Sequence, residues 1–144
     1  MSQPFQVGLV GCGFMGRMHS AVYSVLPSAD LVLACDLDLE AATKLSGKST
    51  NDFHDLLTFP GIDVVDICLP TCLHADHAVK ALEAGKHVVC EKPMALNTVD
   101  ADRMVAAAKA SGKTLMISHC IRSWPEYVVL TNLVKNGRLG KLLS

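Results

Sequence analysis

The chain has 144 residues, half of them apolar and 19% charged, with a formal net charge of −1. That composition supports one compact domain with a real core and argues against a disordered chain. With no basic run and few aromatics it excludes nucleic-acid binding by charge, and no apolar run approaches the ~20 residues that span a bilayer. The opening Met1-Ser2-Gln3-Pro4 lacks the charged and apolar regions of a secretory signal. The expectation is a cytoplasmic protein without membrane or nucleic-acid partners, whose six cysteines are reduced thiols rather than a disulfide framework.

Short β-branched runs alternate along the chain with longer amphipathic stretches. Residues 6–10 read as a strand and 15–26 as a helix stopped by Pro27. Residues 31–35 form a second strand, and a helix follows over about 39–45. Residues 46–51 are weakly marked and hold at most a short third strand, and 52–58 read as a helix broken at Pro60-Gly61. Residues 64–69 are nearly all apolar, as in a strand buried on both faces. Ala75, Ala78, Val79 and Leu82 repeat at helical spacing up to the stop at Gly85, and 87–90 form the next strand. Asn97 caps a helix with Ala101, Met104, Val105 and Ala108 on its apolar stripe, ended by Gly112. Residues 114–117 are a further strand, and Ser123-Trp124-Pro125 opens a last helix over about 126–135. Lys141 to Ser144 resemble the beginning of another strand. Strands alternating with helices require crossover connections, which predicts an α/β fold with a doubly wound parallel sheet, the Rossmann fold.

Gly11-Cys12-Gly13-Phe14-Met15-Gly16 matches G-x-G-x-x-G between an apolar strand and an amphipathic helix. In such a loop Gly11 permits the tight turn and Gly13 lets the backbone approach a diphosphate. Gly16 lets the helix pack closely, and the anion sits at the helix N-terminus. Asp36 ends the second strand, where a carboxylate accepts hydrogen bonds from ribose hydroxyls and repels a 2′-phosphate. Leu37 follows it rather than an arginine, so NAD is favoured over NADP. Asp38 fits either a second ribose contact or a helix N-cap. The unit as such also fits enzymes that use S-adenosylmethionine.

Glu91-Lys92-Pro93, preceded by Ala84-Gly85-Lys86-His87-Val88, resembles the glucose–fructose oxidoreductase/inositol dehydrogenase/MocA family. So do Val65-Asp66-Ile67-Cys68-Leu69-Pro70-Thr71, with His74 and His77, and Gly8-Leu9-Val10-Gly11-Cys12-Gly13. The resemblance runs from about Val7 to Gly140. It implies that Lys92 is the catalytic residue, hydrogen-bonding the reacting oxygen and helping to move its proton, which a lysine does when burial and neighbouring positive charge lower its pKa. It further implies that Glu91 positions Lys92 or the nicotinamide ribose, and that the Lys92–Pro93 bond is cis. Pro70, Thr71 and His74 are expected to line the cofactor groove at the C-terminal end of a strand, with His74 fitting a helix start as well. Arg122, shortly after His119, is expected to contact the nicotinamide side or a polyol, or else to form a domain-junction salt bridge. Trp124 and Tyr127 read as packing residues rather than sugar platforms.

Cys68, Cys72, His74 and His77 can be drawn as a metal set, but strand and helix geometry makes them diverge, and no metal is expected. Five cysteines fall at strand C-termini, which leaves a redox switch as a weak alternative. Relatives in the resembled family carry a second α/β substrate domain with an Asp and His pair, and this chain stops where that domain begins. The expected organisation is therefore residues 1–122 as an NAD-binding domain and 123–144 as a junction helix leading to an absent domain. The expected function is the cofactor half of an NAD-dependent oxidoreductase for a secondary alcohol of a sugar or cyclitol, with little turnover alone and a tendency to form homo-oligomers. A non-catalytic dinucleotide-binding or regulatory module is the alternative.

Overall fold

A computed structural model describes residues 3–141 and 143. Six strands and six helices alternate along it: β1 (Phe5–Val10), α1 (Phe14–Tyr23), β2 (Ala29–Cys35), α2 (Leu39–Leu45), β3 (Ser49–Thr50), α3 (Phe53–Thr58), β4 (Val64–Ile67), α4 (His74–Glu83), β5 (His87–Glu91), α5 (Thr98–Ser111), β6 (Leu115–Ser118) and α6 (Pro125–Lys135). The strands form one sheet in the order β3-β2-β1-β4-β5-β6, and every neighbouring pair is parallel. The order reverses between β1 and β4, which opens a crevice beyond their C-terminal ends. The strand expected at the chain's end falls partly on Leu142 and Ser144, outside the described residues.

Local chemistry sets the element boundaries. Asp38 caps α2: one of its carboxylate oxygens accepts from the amides of Glu40 and Ala41 at 3.0 and 3.2 Å. Asp52 accepts from the His54 amide at 2.8 Å to start α3, and Asn97 from the Asp100 amide at 2.9 Å to start α5. α5 ends at Gly112, whose φ of 66° is a left-handed cap. α1 is shorter than its apolar pattern predicts. The amides of Val25 and Leu26 bond to carbonyls three residues back, tightening the chain into a turn before Pro27.

Alternation along the strands sorts the core into two layers. Val65, Ile67, Val88 and Cys90 meet Ala78, Ala81, Leu82 and Met104 from α4 and α5. On the other face Leu9 and Ala34 pack with Ala42 of α2, and Tyr23 of α1 lies beside them. Each large apolar side chain so buried contributes roughly 1.5–3 kcal/mol. Asp66 breaks the pattern: it lies in β4 between Val65 and Ile67, on the α1 face, and is fully buried. α6 buries none of its residues.

Candidate functional site

The glycine loop leaves β1 at the crevice. Gly11 has φ +93°, and a Cβ there would lie 2.6 Å from the Cys68 carbonyl oxygen, so only glycine fits between β1 and the end of β4. A Cβ on Gly16 would collide with the Gly11 carbonyl oxygen; α1 therefore packs onto the glycine turn itself. Gly13 is different. No protein atom lies within 4 Å of the position its Cβ would take. It stands at the N-cap of α1, where no side chain caps the helix and no acidic residue occupies the first turn. Unpartnered amides, the positive end of the helix dipole and open space over Gly13 together make a cradle for an anion.

Asp36 is fixed to this loop. One carboxylate oxygen accepts from the Cys12 amide at 2.6 Å, and the other accepts from the Asp38 amide at 2.9 Å. Each oxygen keeps further acceptor capacity, and Asp36 lines the groove, which suits a vicinal diol. The groove itself has a volume of about 720 Å³; Gly11, Gly13, Phe14, Met15, Asp36 and Pro70 are among the residues that line it. Leu37, 92% exposed, puts no positive charge there. Cys12 contributes its amide rather than its side chain, which is buried. The residues present therefore fit an adenine dinucleotide: α1 would hold the diphosphate and Asp36 the ribose.

β5 ends in the Glu-Lys-Pro turn. The Lys92–Pro93 bond is cis. Lys92 lines a second cavity, of about 420 Å³, with His119, Cys120, Ile121 and Arg122, so the two cations expected at the reacting end lie around one space. Thr71 opens the short 3-10 turn before α4. His74 is not a groove residue: its ring is buried, with Nδ1 2.9 Å from the Pro93 carbonyl oxygen and Nε2 2.8 Å from that of Leu69. It ties the Glu-Lys-Pro turn to the end of β4 and has no ring nitrogen left for a ligand. His77, one helical turn on, is the histidine that lines the groove. Burial lowers its pKa, and its ring stands edge-on to Phe53 with centroids 4.5 Å apart. Trp124 and Tyr127 pack edge to face at 6.5 Å, both about half exposed.

Sequence reasoning missed a polar cluster behind the Glu-Lys-Pro turn. Nδ1 of His19 lies 2.8 Å from Asp66, its Nε2 lies 3.3 Å from Glu91, and Tyr23 donates its hydroxyl to Asp66 at 2.9 Å. The hydrogen bond to Asp66, more than any other factor, raises the His19 pKa. Burial and the Asp66 charge push the Tyr23 hydroxyl and the Cys68 thiol well above their ordinary ranges. The available signal was a lone aspartate inside an apolar strand, which needs a buried partner. His19, Asp66 and Cys68 bring three donor atoms within 4.8 Å of one another. The 2.8 Å contact between His19 and Asp66 is a hydrogen bond, too short to place an ion between them.

All six cysteines are free. Burial raises Cys12 and Cys90 to about 12 and Cys35 to about 11, so none of the three is a ready thiolate. Among the described residues no helix is long and apolar enough to cross a membrane.

Comparison with known proteins agrees with this geometry. Levoglucosan dehydrogenase of Pseudarthrobacter phenanthrenivorans is 35% identical over 155 aligned positions, which cover 99% of this chain and 40% of that protein. Inositol 2-dehydrogenase of Salmonella typhimurium is 32% identical, covering 96% of this chain and 44% of the relative. The chain thus spans about two fifths of the length of these curated relatives. A structure of levoglucosan dehydrogenase with NADH and levoglucosan superposes with a TM-score of 0.92 at 32% identity, over 98% of this chain and 41% of the other. Myo-inositol 2-dehydrogenase of Lactobacillus plantarum gives a TM-score of 0.90 at 26% identity, over 97% of this chain and 43% of that one. The family profile described as an oxidoreductase family with an NAD-binding Rossmann fold matches residues 5–119. The chain belongs to the Gfo/Idh/MocA oxidoreductase family, and carries its NAD-binding domain.

Proposed function

We propose that this chain is the cofactor-holding part of an NAD-dependent dehydrogenase acting on a secondary alcohol of a sugar or cyclitol. The observation that carries the reading is the Asp36 carboxylate, held by the Cys12 amide beside an uncapped helix N-terminus. The neighbouring relatives, a levoglucosan and an inositol dehydrogenase, support a polyol substrate. When bound, the nicotinamide ring supplies the hydride acceptor. In this reading Lys92 hydrogen-bonds the hydroxyl and takes its proton, and Arg122 holds a neighbouring oxygen of the polyol or cofactor. Glu91 orients the turn that carries Lys92, since its carboxylate accepts from the Lys92 amide at 3.0 Å. Exposed Trp124, Tyr127 and Val128 support a homo-oligomer as part of the same reading.

Hydride transfer needs the reacting atoms held at roughly 3–3.5 Å. The cavity at Lys92 is walled by one turn and one 3-10 segment, so the 144-residue chain should bind cofactor with little turnover. Fluorescence titration checks the binding. NADH should bind more tightly than NADPH, S-adenosylmethionine should not bind, and Asp36→Ala should weaken NADH by about tenfold while narrowing the gap to NADPH. Equal affinity for both dinucleotides in the unaltered chain would sink the NAD assignment; rapid polyol oxidation by it would sink the claim of low turnover.

A further inference from the structure

His19 joins the two halves of this site. It lies on α1, the helix whose N-terminus carries the glycine loop, and its ring bridges two carboxylates on adjacent strands. Asp66 of β4 is fully buried and meets Nδ1; Glu91 of β5 is 6% exposed and faces Nε2. The second oxygen of Glu91 accepts the Lys92 amide. A continuous chain of contacts therefore runs from Asp66 through the imidazole and the Glu91 carboxylate to the backbone of the Glu-Lys-Pro turn. Of the other titratable groups nearby, the Cys68 sulfur, just beyond β4, is 3.4 Å from Nδ1, and Tyr23 of α1 donates to the same Asp66 oxygen that meets the ring.

Resting on the proposed NAD reading, we infer that His19 is a positioning residue for the nicotinamide end of the site, acting through Glu91 on the Lys92 turn. An imidazolium satisfies both carboxylates at once, one through each N–H, and no other ring state does so. It offsets the cost of holding Asp66 and Glu91 together away from water. When the ring loses its proton, one of the two contacts loses its donor. Asp66, the nearer and more buried partner, keeps the remaining N–H, and Glu91 is released. The adenosine end is held by different atoms, the α1 amides and Asp36, which do not pass through Glu91.

That separation sets the test. NADH and ADP-ribose share the adenosine, diphosphate and second ribose, but only NADH carries the nicotinamide. In the 144-residue chain, NADH affinity should fall as pH rises through the His19 titration, while ADP-ribose affinity stays level. His19→Gln should lower NADH affinity roughly tenfold and flatten its pH profile, leaving ADP-ribose within about twofold. Parallel loss of both ligands in His19→Gln, or no loss of either, overturns the positioning role alone. Failure of the unaltered chain to bind either ligand overturns the NAD reading and this inference with it. A spectroscopic arm needs no variant: in nitrogen-15 spectra of the unaltered chain the Lys92 amide should titrate together with the His19 ring. A Lys92 amide that stays fixed while that ring titrates overturns the inference.

Discussion

Gly13 and Gly16 occupy the same loop for opposite reasons, and alanine separates them. A Cβ on Gly13 meets no protein atom, so Gly13→Ala should leave the melting temperature nearly unchanged while weakening NADH binding. A Cβ on Gly16 meets the Gly11 carbonyl, so Gly16→Ala should cost stability, on the order of 1–3 kcal/mol for overpacking. Thermal melts paired with NADH titrations read both; a stable, non-binding Gly16→Ala would reverse the assignment. The close packing at Gly16 and the open space at Gly13 were legible in the sequence, because the motif's spacing calls for both. The place of Asp36, just after β2 and beside the glycine loop, was legible from its spacing to the motif. Of the two readings of His74, the helix start holds, since it opens α4; nothing local reports that its ring turns inward between two carbonyls 5 and 19 residues away. His19 was not singled out at all: its partners lie 47 and 72 positions along the chain, and a histidine on an amphipathic helix has no signature of its own.

At the scale of elements, the strand ends decide the chemistry of the thiols. Cys35 and Cys90 lie in β2 and β5, and Cys12 in the loop after β1, all buried. Cys72 and Cys120 lie on the 3-10 segments and are exposed. A thiol reagent at neutral pH should therefore modify Cys72 and Cys120 first, with Cys12, Cys35 and Cys90 protected until unfolding; mass spectrometry of the labelled chain tests this. Early labelling of Cys12 would show that the loop opens far more readily than its contacts imply. The alternation of strand and helix was readable because apolar period and capping residues agree over α2, α3 and α5. The end of α1 was not, because Val25 and Leu26 continue the apolar pattern into a turn where both are exposed.

The stability of the whole molecule should depend on pH in a defined direction. His19 has a raised pKa in the folded state, so its contribution is complete below about pH 6.5, its unfolded value. It is lost as pH rises through the folded value. The buried thiols also have raised values and act in the same direction, but only above their unfolded value of about 8.5. His77, lowered by burial, acts in the opposite sense as pH rises through its unfolded value of about 6.5, so the loss up to about pH 8 belongs to His19. Denaturant melts across that window should show falling stability, and His19→Gln should remove most of the slope. An unchanged slope in that variant would mean that another group titrates.

β1 is the middle of the sheet, and its last residue pairs with Cys35 of β2 on one side and Ile67 of β4 on the other. The glycine turn that follows is complete only when both neighbours have docked, since Gly11 bonds its amide to the Cys35 carbonyl and fits against the Cys68 carbonyl. In kinetic terms the ligand cradle is assembled only after a distant crossover has closed, a step limited by the entropy of a long loop. The nascent chain has no binding surface until β4 has been made and has docked. Dinucleotide in the surrounding solution should then act late, slowing unfolding far more than it speeds folding.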